Sequence, residues 1–351
     1  MSVHSGFFRP VLSAIMLCLV VVGACSSFAN CVCGGDIPSV GSTFAAKDSL
    51  KLDADEAADA QDCLKGLRWA PGDFKVQCEA AQGDRGDLLI RFPSPMPSGD
   101  AVNDNVSMEW YVARDENRQP KTARCVVVVH ESGRGMTVGR IFARGLQSQG
   151  LHTFLIHLPG YGARRTPRAD QPEQLLSGMQ QAVCDVRRAR DAVASLPLID
   201  SSIVGIQGTS LGGFITATTG GLDDGYGGVF ILLAGGNLHE VVLQGKKDAA
   251  KVREKLEAIG ITGDKIRDLA RPVEPLRVAH RLRPETTWLY SGKYDDVVPP
   301  ECSFALAKAA SLPAGHHIEL PADHYSGVVF LPAVIAEIGQ KMKTLGDETP
   351  K

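Results

Sequence analysis

The stretch Ser202-Ile203-Val204-Gly205-Ile206-Gln207-Gly208-Thr209-Ser210-Leu211-Gly212-Gly213-Phe214-Ile215-Thr216 decides how this chain is read. Residues 202–207 have the apolar, β-branched make-up of a short strand, and residues 211–219 read as a helix. Between them, G-T-S-L-G-G puts Ser210 on a tight strand-to-helix turn. Glycines are required in such a turn, which leaves no room for side chains and strains its central residue. The helix N-terminus that follows favours developing negative charge. A bare G-x-S-x-G carries little weight in a Gly- and Ser-rich chain, so the flanking strand and helix supply the argument. The competing reading, a Gly-rich phosphate turn, lacks both G-x-G-x-x-G and G-K-[ST] here.

Outward from this turn, strands alternate with helices. Residues 88–92 and 106–113 read as strands, the second with Val106, Met108, Trp110 and Val112 on one face. The β-branched run 125–129 has the make-up of a strand buried on both faces, and 151–158 reads as another. Leu175, Met179, Ala182, Val183, Val186, Ala189 and Val193 recur at helical spacing. After a strand at 228–234 the rhythm breaks, because 235–283 is charged and helical, notably over 247–259. It resumes with a strand at 287–291, a helix at 302–310, a strand at 316–320 and a closing helix at 327–342. This alternation predicts an α/β fold, a mostly parallel central sheet with helices on both faces. Residues 235–283 form an insertion over one end of it. Residues 30–82, with helical hints only around 55–67, are expected to be an N-terminal extension packed on a main domain of 83–345.

A serine nucleophile needs a base within hydrogen-bond reach and a carboxylate that orients the base. Gly292-Lys293-Tyr294-Asp295-Asp296-Val297-Val298-Pro299 directly follows a predicted strand, so Asp295 or Asp296 projects from its end. Pro321-Ala322-Asp323-His324-Tyr325 follows the last predicted strand in the same way. A lone Asp after a strand is usually a turn former, the better reading for Asp296. His316 and His317 lie inside a strand and read as structural, whereas His324 is free in a loop to reach Ser210.

From about residue 88 onward the chain resembles an α/β-hydrolase. Three motifs carry the resemblance: the G-T-S-L-G-G elbow, the G-x-x-D-x-x-V-P segment and a late D-H before the final helix. It implies a serine hydrolase with Ser210 as nucleophile, Asp295 rather than Asp296 as acid, and His324 as base. It further implies an oxyanion hole built from the backbone N–H groups of Leu211 and of Ser132. The loop carrying the second donor reads His130-Glu131-Ser132-Gly133-Arg134, with Glu131 where many relatives have Gly. Glu131 either hydrogen-bonds within the site or pairs with Arg134. Insertions at 235–283 commonly form a helical cap over the nucleophile in this family. No metal or organic cofactor is implied. Arg164, Arg165 and Arg168 follow Pro159-Gly160-Tyr161-Gly162 at the same end of the sheet. They either recognise an anionic substrate group or belong to a solvated loop.

The 37 Lys and Arg against 40 Asp and Glu leave a net charge of -3, which argues against nucleic acid as a partner. Arg9, the apolar run 11–22 and the small residues after it have the three parts of a secretory signal. Two cleavage points compete. One follows Ala29, and the other follows Ala24, where Val22-Gly23-Ala24-Cys25 resembles a lipobox that would lipidate Cys25 and anchor the chain to a membrane. The expected location is therefore periplasmic, extracellular or anchored at a bacterial envelope. Export permits disulfides, for which Cys31 with Cys33 and Cys63 with Cys78 are the pairs nearest in sequence. Cys125 and Cys184 are expected as buried thiols. Three functions compete: a secreted esterase acting on a small-molecule ester, a peptidase on the same fold, and a binding protein that kept the scaffold. Oligomeric state is not legible in the sequence.

Overall fold

A continuous β-branched run needs cover on both faces, and the computed structural model, which describes residues 35–167 and 174–346 (side chains of 174–176 excepted), provides it. The strands are β1 (Thr43–Lys47), β2 (Asp73–Gln82), β3 (Arg85–Pro93), β4 (Asn105–Tyr111), β5 (Ala123–Val129), β6 (His152–His157), β7 (Ile199–Thr209), β8 (Gly228–Leu232), β9 (Thr287–Gly292) and β10 (His317–Leu320). They lie in the order β1-β2-β3-β4-β6-β5-β7-β8-β9-β10. Along β5, Cys125, Val127 and Val129 face one apolar layer, and Val126 and Val128 face the other. The first layer includes α3 (Gln174–Ala194), α4 (Leu211–Gly220) and α8 (Pro300–Ala309). The second is built from α2 (Thr137–Ser148) and α9 (Leu331–Thr344).

The sheet has two halves. From β6 through β5, β7, β8 and β9 to β10 every pairing is parallel. From β1 to β4, and between β4 and β6, every pairing is antiparallel. Parallel neighbours need long crossovers, which the helices supply, whereas a two-residue turn joins β2 to β3. The sheet is thus mixed, parallel from β6 to β10 and antiparallel from β1 through β4 to β6.

The sequence reading and the structure differ in the N-terminal part. Residues 43–82 contribute β1 and β2 as the outer strands of the common sheet, so the expected boundary at 82/83 falls at the tip of a hairpin. Helix α1 (Ala58–Lys65) is the one element foreshadowed there. Helix α2 was not legible. It carries Gly139 and Gly145, poor helix formers, because Leu155, His130 and Ile335 leave no room for a Cβ.

Cys63 and Cys78, a pair near in sequence, are both free, buried thiols. Cys63 lies in α1, with Sγ 3.6 Å from the Pro272 carbonyl oxygen. Cys78 is in β2 opposite Ile90. Closeness in sequence did not translate into facing side chains. Cys125 and Cys184 are buried free thiols. The signal segment, Cys25, Cys31, Cys33 and Arg168 lie outside the described residues.

Candidate active site

Ser210 sits between β7 and α4 with φ 54° and ψ −116°, a conformation that an L-residue adopts only under constraint. Its N–H donates to Leu232 O at 2.9 Å, and its carbonyl accepts from Gly213 N–H at 2.8 Å. The surrounding glycines are required for space. A Cβ at Gly208 would overlap the Gly212 carbonyl oxygen, one at Gly212 the Val129 carbonyl oxygen, and one at Gly213 would come within 2.6 Å of Ala234 Cβ.

The loops after β9 and β10 bring up the partners. Asp295 Oδ1 accepts from the N–H groups of Val297 and Val298 at 2.9 and 2.8 Å, which fixes the carboxylate. Oδ2 is left to meet His324 Nδ1 at 2.7 Å. His324 Nε2 in turn lies 3.0 Å from Ser210 Oγ. Both Asp295 and His324 are buried, so water does not compete for the bonds between them. With Nδ1–H donated to Asp295, Nε2 is the free acceptor. That tautomer can take a proton from Ser210. Asp296 does not join this relay. Its carboxylate pairs with Lys247 at 3.0 Å, and its carbonyl accepts from Lys246 N–H at 2.7 Å.

The loop after β5 closes the other side. His130 Nδ1 contacts the Glu131 carbonyl oxygen at 2.5 Å, and its Nε2 accepts from Leu158 N–H at 3.2 Å. Burial pushes the His130 pKa down to about 3, so the ring stays neutral with its proton on Nδ1. The Glu131 carboxylate accepts from the N–H groups of Val138 and Gly139 at 3.1 and 3.0 Å, capping α2. Glu131 borders the site, but its expected role on substrate is corrected, because both its oxygens are engaged by the helix. Ser132 and Leu211 both border the space in front of Ser210.

The expectation for Arg164 is also corrected. Its side chain is fully buried and donates to Asn103 O, His157 O and Asp185 Oδ2 at 2.7, 3.0 and 2.7 Å. That guanidinium is a structural tie, because all its directions are used. Arg165 is exposed and is not among the described residues that line the cavities at Ser210.

Two cavities meet at Ser210. One, of about 170 Å³, runs beneath α5 (Leu238–Gln244), α6 (Asp248–Ala258) and α7 (Asp264–Ala270) and is lined largely by apolar side chains. The other, of about 270 Å³, is bordered by Glu131, Thr209, His324 and Tyr325. Ser132, Ser210 and Asp248 border both. Asp248 was missed in the sequence. Its Oδ2 accepts from Tyr325 O–H at 2.9 Å, and Lys247 Nζ lies 4.9 Å from the Tyr325 ring centre. An aspartate at the start of a charged helix looks like any solvated helix terminus, so only the fold reveals this contact.

No protein-family model and no curated protein sequence matches the chain. Solved structures do share its fold. An acetyl xylan esterase from Paenibacillus sp. R4 is similar at TM-score 0.56 and 15% identity, over 83% of this chain and 96% of that one. Acetyl xylan esterase 1 from Thermoanaerobacterium sp. JW/SL YS485 is similar at TM-score 0.54 and 13% identity, again over 83% and 96%. A puromycin-hydrolyzing peptidase from Mycobacterium tuberculosis is similar at TM-score 0.53 and 19% identity, over 78% of this chain and 46% of that one. At these identities the likeness concerns architecture, and the architecture is the α/β-hydrolase fold.

Proposed function

We propose that the protein is a serine hydrolase that cleaves carboxylic esters through an acyl-enzyme. One observation carries this reading: the unbroken contact from Ser210 Oγ through His324 to Asp295, at 3.0 and 2.7 Å. In the first half-reaction Ser210 Oγ forms a bond to the ester carbonyl carbon while its proton passes to His324 Nε2. The tetrahedral intermediate collapses, the C–O bond to the alcohol breaks, and His324 returns the proton to the leaving alkoxide. In the second half-reaction His324 takes a proton from water, which attacks the acyl carbon and frees Ser210. Asp295 stays ionised and holds the imidazole in its tautomer. The N–H groups of Leu211 and Ser132 are assigned to the oxyanion.

The esterase names borne by two fold relatives support ester over amide as the first substrate class to assay. The bonds of Lys246 and Lys247 to Asp296 support treating residues 235–283 as a cap over the nucleophile. Export to the envelope or beyond, with lipidation of Cys25 as the anchored alternative, is part of the same proposal and rests on the sequence of residues 9–29 alone. The test is hydrolysis of p-nitrophenyl esters beside peptide anilides, with wild type against Ser210→Ala. Ester turnover that disappears in the variant supports the proposal. Turnover retained in the variant, or confined to the anilides, overturns it.

A further inference from the structure

Of the two cavities at Ser210, only one is bordered by His324. His324 borders the cavity of about 270 Å³ and is not among the residues that line the cavity of about 170 Å³. A serine hydrolase must protonate its leaving group from the imidazole, so the alcohol has to depart on the side where His324 Nε2 stands. The acyl group is then left to the cavity without His324. We infer that the cavity beneath α5, α6 and α7 is the acyl subsite, and that the preferred substrate is an ester of a neutral, apolar acyl chain longer than acetyl. This rests on the ester-hydrolase reading above and names the substrate class of that same site.

The lining carries the chemistry of the inference. Val241, Val252, Leu256, Ile266 and Leu269 surround this cavity, with Leu211 and Phe214 of α4 at its floor. An acetyl group would leave most of these walls without contact, and each methylene added to the acyl chain removes apolar surface from water. Anionic acyl chains are disfavoured by burial against this apolar lining. The Asp248 carboxylate at the junction of the two cavities is paired with Lys251 at 2.9 Å, so the pair offers no net positive charge to an acyl carboxylate. Arg164, the cation that sequence placed nearest, is spent on Asp185. The alcohol side is mixed: Val138, Leu232 and Leu331 line it together with Thr209, His324 and Tyr325.

The experiment compares two ester series on the full chain: p-nitrophenyl esters with acyl chains from acetyl to decanoyl, and acetate esters of alcohols of matched length. Expected is a kcat/KM that rises along the acyl series by up to about fourfold per methylene, the ~0.8 kcal/mol of a buried CH₂. The alkyl series should rise less steeply and should not respond to Val252→Trp or Ala270→Leu. A hexanoyl ester should exceed its ω-carboxylated counterpart by at least tenfold. Val252→Trp and, from another wall, Ala270→Leu should each lower the hexanoyl-to-acetyl ratio of kcat/KM by about tenfold, so the test survives if one variant fails to fold. Acetyl as the best acyl group, or a ratio that neither variant changes, would overturn the assignment. A rise along the alkyl series, reversed by the same variants, would also overturn it, by moving the alcohol into this cavity. Loss of Ser210-dependent turnover on every ester is a different outcome, which sinks the ester-hydrolase reading itself.

Discussion

Buried charge gathers along α3 and at Ser210 among the described residues, and these two regions are built to opposite ends. Along α3, Arg187 donates to Asp223 at 2.7 and 2.8 Å and to Asp191 at 3.0 Å. The next residue, Arg188, donates to Asp48 at 2.9 and 2.6 Å, and Asp185 holds Arg164 at 2.7 Å. Every one of these charges ends on another charge, and the ion pairs tie the N-terminal strands to the helix layer. At Ser210 the chain of contacts is Asp295 to His324 to Ser210, and it ends on a hydroxyl that borders two cavities. Burial of ionisable groups is common to both regions. Of these two regions the second opens to a cavity, and such an exit is what a reactive group needs and a structural one does not.

The contrast sharpens with mutation. Ser210→Ala should lower kcat on the best ester by about 10⁶-fold while the melting temperature stays within about 2 °C, because triad members act as a unit. Asp295→Asn should lower kcat by about 10⁴-fold, through the wrong imidazole tautomer. Asp296→Asn should cost less than about tenfold, since that carboxylate faces Lys247. Equal losses in the two Asp variants would break the assignment. On the α3 side the signature inverts. Arg187→Leu leaves Asp223 and Asp191 buried without their partner and should cost about 3–5 kcal/mol in denaturant unfolding, while the folded fraction keeps its kcat.

A third polar cluster tests the same distinction by pH. Burial pushes the Glu109 carboxyl up, but the hydrogen bonds from His157, Arg140 and Tyr111 outweigh it and hold the pKa at about 2, against 4.5 when unfolded. A depressed folded pKa stabilises the protein above the unfolded value, and that contribution is lost as pH falls from about 4.5 towards 2. The stability gap between wild type and Glu109→Gln should therefore be widest above pH 5 and shrink across that window. A gap independent of pH would show that Glu109 contributes by packing alone. The smallest expected effect concerns the thiols. Alkylation under denaturing conditions, without a reductant, should modify both Cys63 and Cys78 fully, and an unmodified pair would contradict their assignment as free thiols.

The parallel half of the fold was legible because its strands are buried on both faces and its elbow needs glycine where backbones nearly touch. Ser210, Asp295 and His324 could be named because each follows a strand in a motif of fixed spacing. In the antiparallel half β3 and β4 were legible as the strands read at 88–92 and 106–113, whereas β1 and β2 were hidden. In β2 the exposed Lys75 and Gln77 alternate with the buried Val76 and Cys78, a strand pattern muted by polar neighbours. Helix α2 carries glycines that packing demands and propensity penalises. Arg164 was misread because one-dimensional proximity to the site says nothing of a partner 21 positions away, and Asp185 is that partner. Asp248 gave no signal, since its meeting with Tyr325 spans 77 positions.

The central claim is that His324 and Asp295 make Ser210 a nucleophile. Labelling by a fluorophosphonate reads that directly, because the Oγ–P bond forms as P–F breaks, with no acyl or alcohol preference involved. Intact mass and peptide mapping should give one adduct, on Ser210, formed at least about 10³-fold more slowly in His324→Gln than in wild type. An adduct on another residue, or labelling of Ser210 at the same rate in both proteins, would contradict the account.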